Sequence, residues 1–99
     1  MAKVEIKRPY PGKGTGECYE ACLRMAAKAG YQVFKKREIA SLVICNGTLD
    51  GRPVSLSAMV PFGSPTAVML SLSSEAAGED VLDAEAERLF GLLEAELHR

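Results

Sequence analysis

The sequence predicts an α+β fold: a two-layer sandwich in the order β-α-β-β-β-β-α, with one antiparallel sheet and two helices on one face. Three observations carry this reading. Alternating side chains dominate from Ile39 to Ser73. Apolar residues recur at helical spacing from Cys18 to Ala29 and again from Leu82 to Leu97. Proline and glycine clusters separate these segments. At 99 residues, the chain makes one domain, 1–99, large enough to fold around a core of its own.

In chain order, Lys3-Val4-Glu5-Ile6-Lys7 alternates strictly and predicts a short edge strand, since edge lysines discourage stray pairing. Pro9 and Pro11 end it, and Gly12, Gly14 and Gly16 form a loop. Thr15 is the expected N-cap of the first helix, whose inner face carries Cys18, Ala21, Cys22, Met25 and Ala29. Glu20, Arg24 and Lys28 stand four residues apart on its outer face, spaced for i,i+4 charge pairs. Gly30 is the expected left-handed cap. Tyr31-Gln32-Val33-Phe34 follows as a strand, with Lys35-Lys36-Arg37-Glu38 as a turn.

Three strands come next. Asp50-Gly51 suits a type I′ hairpin turn and pairs Cys45 with Leu56 and Val43 with Ala58. Asn46-Gly47 carries the same signal but would waste the apolar run, so it is read as a bulge. Carried across the 61–65 connection, the register pairs Ala58 with Val68 and Leu56 with Leu70. The last helix runs from Glu79 to Leu97, with Leu82, Ala86, Leu89, Phe90, Leu93 and Leu97 as its apolar stripe. Leu89 and Leu93 are expected against Leu56 and Leu70. Acids crowd its start, and His98 and Arg99 its end.

Alternation sorts the three central strands into two faces. One is apolar throughout (Val43, Cys45, Leu56, Leu70 and their neighbours) and calls for helices over it. The other carries Leu42, Ile44, Ser57, Met59, Met69 and Ser71, with no charge among its central residues. A freely solvated face would normally hold Lys, Glu or Thr. These six residues are the expected binding site, for a protein partner or a second copy in a homodimer.

The element order resembles the TATA-box-binding-protein-like fold. It is also similar to small helix-grip domains such as those of bacterial outer-membrane assembly lipoproteins. In the latter, a strand, a proline-rich bend and a helix ending in Gly-aromatic-x-Val precede an antiparallel sheet. Here those features are Pro9, Pro11 and Gly30-Tyr31-Gln32-Val33. The resemblance implies a fold and assigns no residue a role.

Other classes find less support. Cys18 and Cys22 lie one helical turn apart and Cys45 sits on the apolar face. Zinc would want a fourth ligand, and the single His is terminal, so no metal or other cofactor is expected. A thiol-dependent enzyme through Cys18 or Cys22 lacks a base. The loop Gly12-Lys13-Gly14-Thr15-Gly16 fits neither phosphate-binding fingerprint. An acidic cluster, Glu75, Glu79, Asp80 and Asp83, falls at a helix start, where acids are expected. The central strands lack the aromatics that stack bases, which argues against nucleic acid, although Lys35, Lys36, Arg37 and Arg52 at strand ends leave room for a weak basic rim. A small apolar ligand between the sheet and the last helix is an alternative, given Ala58, Ala86 and Gly91. Residues 1–38 hold nine Lys/Arg against four Asp/Glu, and residues 75–99 two against eight. Such asymmetry governs steering and solubility more than fold. No apolar run approaches the roughly 20 residues that span a bilayer, and no apolar stretch follows the first seven residues, so a cytoplasmic chain without a membrane partner is expected.

Overall fold

The computed structural model describes residues 1–98; Arg99, expected beside His98 at the end of the last helix, lies outside the described residues. The elements are β1 (Ala2–Pro9), α1 (Thr15–Lys28), β2 (Gln32–Arg37), β3 (Leu42–Leu49), β4 (Arg52–Met59), β5 (Ala67–Ser74) and α2 (Glu79–Leu97). The fold is the expected α+β sandwich. The five strands form one antiparallel sheet in the order β1-β5-β4-β3-β2, so β1 and β2 are its edges. α2 lies over β1 and β5, α1 over β2, β3 and β5, and the helices pack on each other.

The hairpin turns where the sequence places it. Asp50 and Gly51 both take positive φ (52° and 79°), and Cys45 pairs with Leu56 and Val43 with Ala58. Between β4 and β5 the register differs from expectation by two residues: Ala58 pairs with Leu70 and Leu56 with Leu72. The cause is a longer connection. Val60 leaves the ladder and donates its N–H to the Ser41 carbonyl at 3.0 Å, while the Thr66 carbonyl accepts from the Tyr10 N–H at 2.7 Å. An even shift keeps every side chain on its own face, so the assignment of faces stands. Val43, Cys45, Val54, Leu56, Ala58, Val60, Val68, Leu70 and Leu72 are all buried under the helices.

Asn46-Gly47 is no bulge. Gly47 pairs directly with Val54 and the ladder runs through it. The glycine is required by Tyr31, because a Cβ at Gly47 would sit 2.6 Å from the Tyr31 ring. The irregularity lies instead in β2, between Val33 and Lys35. β2 also extends through Lys35-Lys36-Arg37, expected as a turn, because those residues pair with Ile44, Val43 and Leu42.

α1 is capped by Gly14 rather than Thr15. Gly14 is extended there, and its N–H donates to the Glu17 carboxylate at 3.4 Å. At the other end, Gly30 takes φ +89°, with Gly30 N–H donating to Ala27 O and Tyr31 N–H to Ala26 O, a Schellman closure. The expected Glu20–Arg24–Lys28 ladder is replaced by a bridge between the helices. Arg24 donates to Glu96 at 2.8 Å and Lys28 donates to the same carboxylate. Leu89 and Leu93 are fully buried as expected. Their helix lies over β5, the strand of Leu70, and over the edge strand β1 rather than chiefly over Leu56 on β4.

Candidate functional site: the open sheet face

Pairing across five strands turns the uncovered face into a grid of three rows. The first runs Arg37–Leu42–Met59–Met69–Lys7, the second Lys35–Ile44–Ser57–Ser71–Glu5, and the third Gln32–Asn46–Ser55–Ser73–Lys3. All six expected site residues stand in the first two rows. Leu42, Ile44, Ser57, Met59, Met69 and Ser71 are each half-buried, shielded by one another and by no helix. The face grades along the strands, from an apolar row at the end bearing the 38–41 turn and the 60–66 loop to a serine row at the other. A shallow cleft of about 320 Å³ crosses its middle between Ile44, Met59 and Met69 on one side and Lys3, Ser55 and Ser73 on the other.

The expectation of an uncharged face holds for the three central strands only. The edge strands supply Lys35 and Arg37 on one side and Lys3, Glu5 and Lys7 on the other. Sequence reasoning set Lys35 and Arg37 at a strand end as a basic rim but read them as a turn, and it missed Lys3, Glu5 and Lys7 because it did not fix which strand β1 joins. The signal was present in the alternation of Lys3-Val4-Glu5-Ile6-Lys7. Once β1 pairs with β5, with Val4 opposite Leu72, the charged positions must share the face of Ser71 and Met69. Glu5 is engaged locally: the Ser71 hydroxyl donates to it at 3.1 Å and Lys3 lies 3.8 Å away.

The cations that lie against the helices are committed, whereas Lys36 and Arg52, exposed at strand ends, pair with no carboxylate among the described residues. Arg8 is paired with Glu87 and Glu94 and stacks 4.4 Å above the Phe90 ring. Its guanidinium is held above its ordinary pKa first by the Glu87 hydrogen bond. Lys13 donates to the Leu97 carbonyl at 2.9 Å and lies 3.6 Å from Glu17, so the lysine of the Gly12–Gly16 loop closes the end of α2. That leaves the loop without a free cation for an anion. Arg88 donates to the buried Glu85 at 2.7 Å, and the Tyr31 hydroxyl donates to the same carboxylate at 2.7 Å. By contrast, among the described residues no carboxylate pairs with Lys7, Lys35 or Arg37.

The cysteines sit in the core. Cys18, Cys22 and Cys45 are free and fully buried. Burial, with Cys18 and Cys45 close by, pushes the Cys22 thiol up to about 12, and burial pushes Cys45 up to about 11. An activated thiol shifts the other way. Among the described residues no three His, Cys, Asp or Glu side chains are placed to hold a metal ion. Glu75, Glu79, Asp80 and Asp83 are exposed around the start of α2. No described helix is long and apolar enough to cross a membrane.

No protein-family model matches the chain, and no curated protein matches it in sequence.

Proposed function

We propose that the chain is a non-enzymatic binding module that recognises another protein through the open sheet face. The observation that carries this is the row Leu42–Met59–Met69. Three large apolar side chains from adjacent strands stand half-exposed side by side where no helix covers them. Isolated exposed apolar residues are ordinary, but a contiguous strip marks an association surface. Ile44 extends it toward serines that present small, adaptable hydrogen-bonding groups. Three free thiols fit a reducing, cytoplasmic setting for such a module.

The alternatives draw less from the packing. For an apolar-ligand carrier, Ala58 and Ala86 lie fully buried in one continuous core, and Gly91 faces solvent rather than the sheet. For a thiol enzyme, the raised pKa values of buried Cys22 and Cys45 oppose nucleophile formation. For nucleic acid, the central strands of the face offer no aromatic platform.

Capture with a Met59→Lys control tests the proposal. Met59→Lys is expected to keep the wild-type denaturation midpoint, because position 59 is half-exposed, and to lose a partner that the wild type retains. A Glu87→Gln variant on the helix side keeps it. Retention of every partner by Met59→Lys would remove the open face as the binding surface. Sedimentation across a concentration series separates a foreign partner from a second copy.

A further inference from the structure

The first row of the grid says what kind of protein the face takes. We infer that the partner is an amphipathic α-helix laid across the strands, with apolar side chains over Leu42, Met59 and Met69 and carboxylates at both ends for Arg37 and Lys7. This rests on the open-face reading and adds to it the chemistry of the occupant.

Two independent observations carry it. The first is charge. The apolar row is bracketed by cations that pair with no carboxylate among the described residues, whereas Arg8, Lys13, Arg24, Lys28 and Arg88 are all engaged. Apolar contact sandwiched between two unsatisfied cations is complemented by an apolar segment sandwiched between two acids. The second is spacing. Neighbouring strands stand about 4.8 Å apart, which places the two ends of the row about 19 Å apart. A helix advances about 5.4 Å per turn, so one side chain per turn meets one strand per turn, and five strands take about four turns. The matching pattern is acid, apolar, apolar, apolar, acid at three- or four-residue steps.

A second copy fits less well. A two-fold axis along the strands would stack the apolar rows and set Lys35 over the second copy's Glu5, which Lys3 and Ser71 already engage, but it would set Arg37 over the second copy's Lys7, like charge on like at both ends of the apolar row. An axis across the strands would set Lys7 over Lys3, Lys35 over Lys35 and Glu5 over Glu5. The chain's own acidic helix, α2, has its apolar stripe buried in the core and cannot serve.

The test uses a designed, fluorescently labelled helical peptide: one leucine per turn over three turns, with glutamates in the turns before and after. A second peptide carries lysines in place of the glutamates. Sedimentation of the wild type runs alongside, and a single-stranded oligonucleotide is the polyanion control. The glutamate peptide is expected to bind, to weaken as salt rises, and to lose at least tenfold in affinity to Lys7→Glu/Arg37→Glu. Met59→Lys is expected to abolish binding, and each variant's denaturation midpoint shows that it is folded. Equal binding of the lysine peptide, or none of the glutamate peptide, overturns the acidic-helix inference. So does a wild-type dimer that Met59→Lys dissolves, which leaves the open-face reading intact. Tighter binding of the oligonucleotide overturns the inference as well. Peptide binding that Met59→Lys does not affect overturns both.

Discussion

Tyr31 joins three elements. Its backbone closes α1, its ring lies against Gly47 of β3, and its hydroxyl donates to Glu85 of α2. Gly47→Ala should therefore cost about 1–3 kcal/mol by overpacking. In a Tyr31→Ala background the same substitution should be neutral or stabilising, because glycine in a strand is otherwise unfavourable by about 0.5–1 kcal/mol. A double-mutant cycle by chemical denaturation checks the change of sign; equal effects in both backgrounds would contradict the ring contact. Nothing local in Asn46-Gly47 announces this. The dipeptide is a strong turn signal, and only the long-range arrival of an aromatic ring explains a glycine inside a regular strand.

The thiols give a second residue-scale prediction. A thiol whose pKa is raised in the folded state holds its proton after the unfolded chain has lost it. Above pH 9 the unfolded state binds fewer protons, so stability falls as pH rises. The contribution of Cys22 is complete below about pH 9 and lost as pH approaches about 12. Urea denaturation at rising pH should show the decline, and Cys22→Ala should flatten it. Native protein should resist alkylation at neutral pH, with all three thiols reacting on unfolding. Rapid modification of the folded chain would contradict their burial.

At the scale of elements, α2 was the most legible part of the chain. Its bounds and all six residues of its apolar stripe follow from spacing alone. Leu89→Ala or Leu93→Ala should cost about 2–5 kcal/mol, since both are fully buried. Gly91 faces solvent in mid-helix, with nothing within 4 Å of an added Cβ. Gly91→Ala should therefore stabilise by roughly 0.5–1 kcal/mol. Thermal or urea denaturation of the three variants reports the ranking, and a destabilising Gly91→Ala would contradict the solvent-facing assignment. What spacing did not show is that Glu85 and Glu96 share the buried side of α2. Glu85 has one local partner, Arg88 at i+3, but Tyr31, Arg24 and Lys28, which tie these two carboxylates to the rest of the fold, come from sequence-distant elements, so no local pattern marks their burial. The β4–β5 register escaped for a similar reason: its connection is held by hydrogen bonds to Ser41 and Tyr10, both far away in the chain.

The molecule as a whole separates two jobs between the faces of one sheet. The helix layer takes the apolar face and most of the acids, and pairs Glu17, Glu85, Glu87, Glu94 and Glu96 with Arg8 of β1, Lys13, Arg24 and Lys28 of α1 and its preceding loop, and Arg88 of α2. The other face keeps an apolar strip, small serines and, at its edges, Lys7, Lys35 and Arg37, which pair with no carboxylate among the described residues. Its central residues were legible because strand alternation survives a two-residue register error. Its charged margins were legible only as a basic rim at strand ends, because strand order is a property of the whole sheet. A chain of net charge −1 has little reason to attract acids in general, so the acidic helix proposed above would have to be drawn by this face specifically. The four methionines make the most direct measurement available. Met25 is fully buried, Met1 is exposed at the terminus, and Met59 and Met69 lie side by side on the open face. With methyl-labelled methionine, adding the acid-flanked peptide or a partner captured by the wild type should shift Met59 and Met69 and leave Met25 in place. A complex that forms while Met59 and Met69 stay unmoved would contradict the open face as the binding surface.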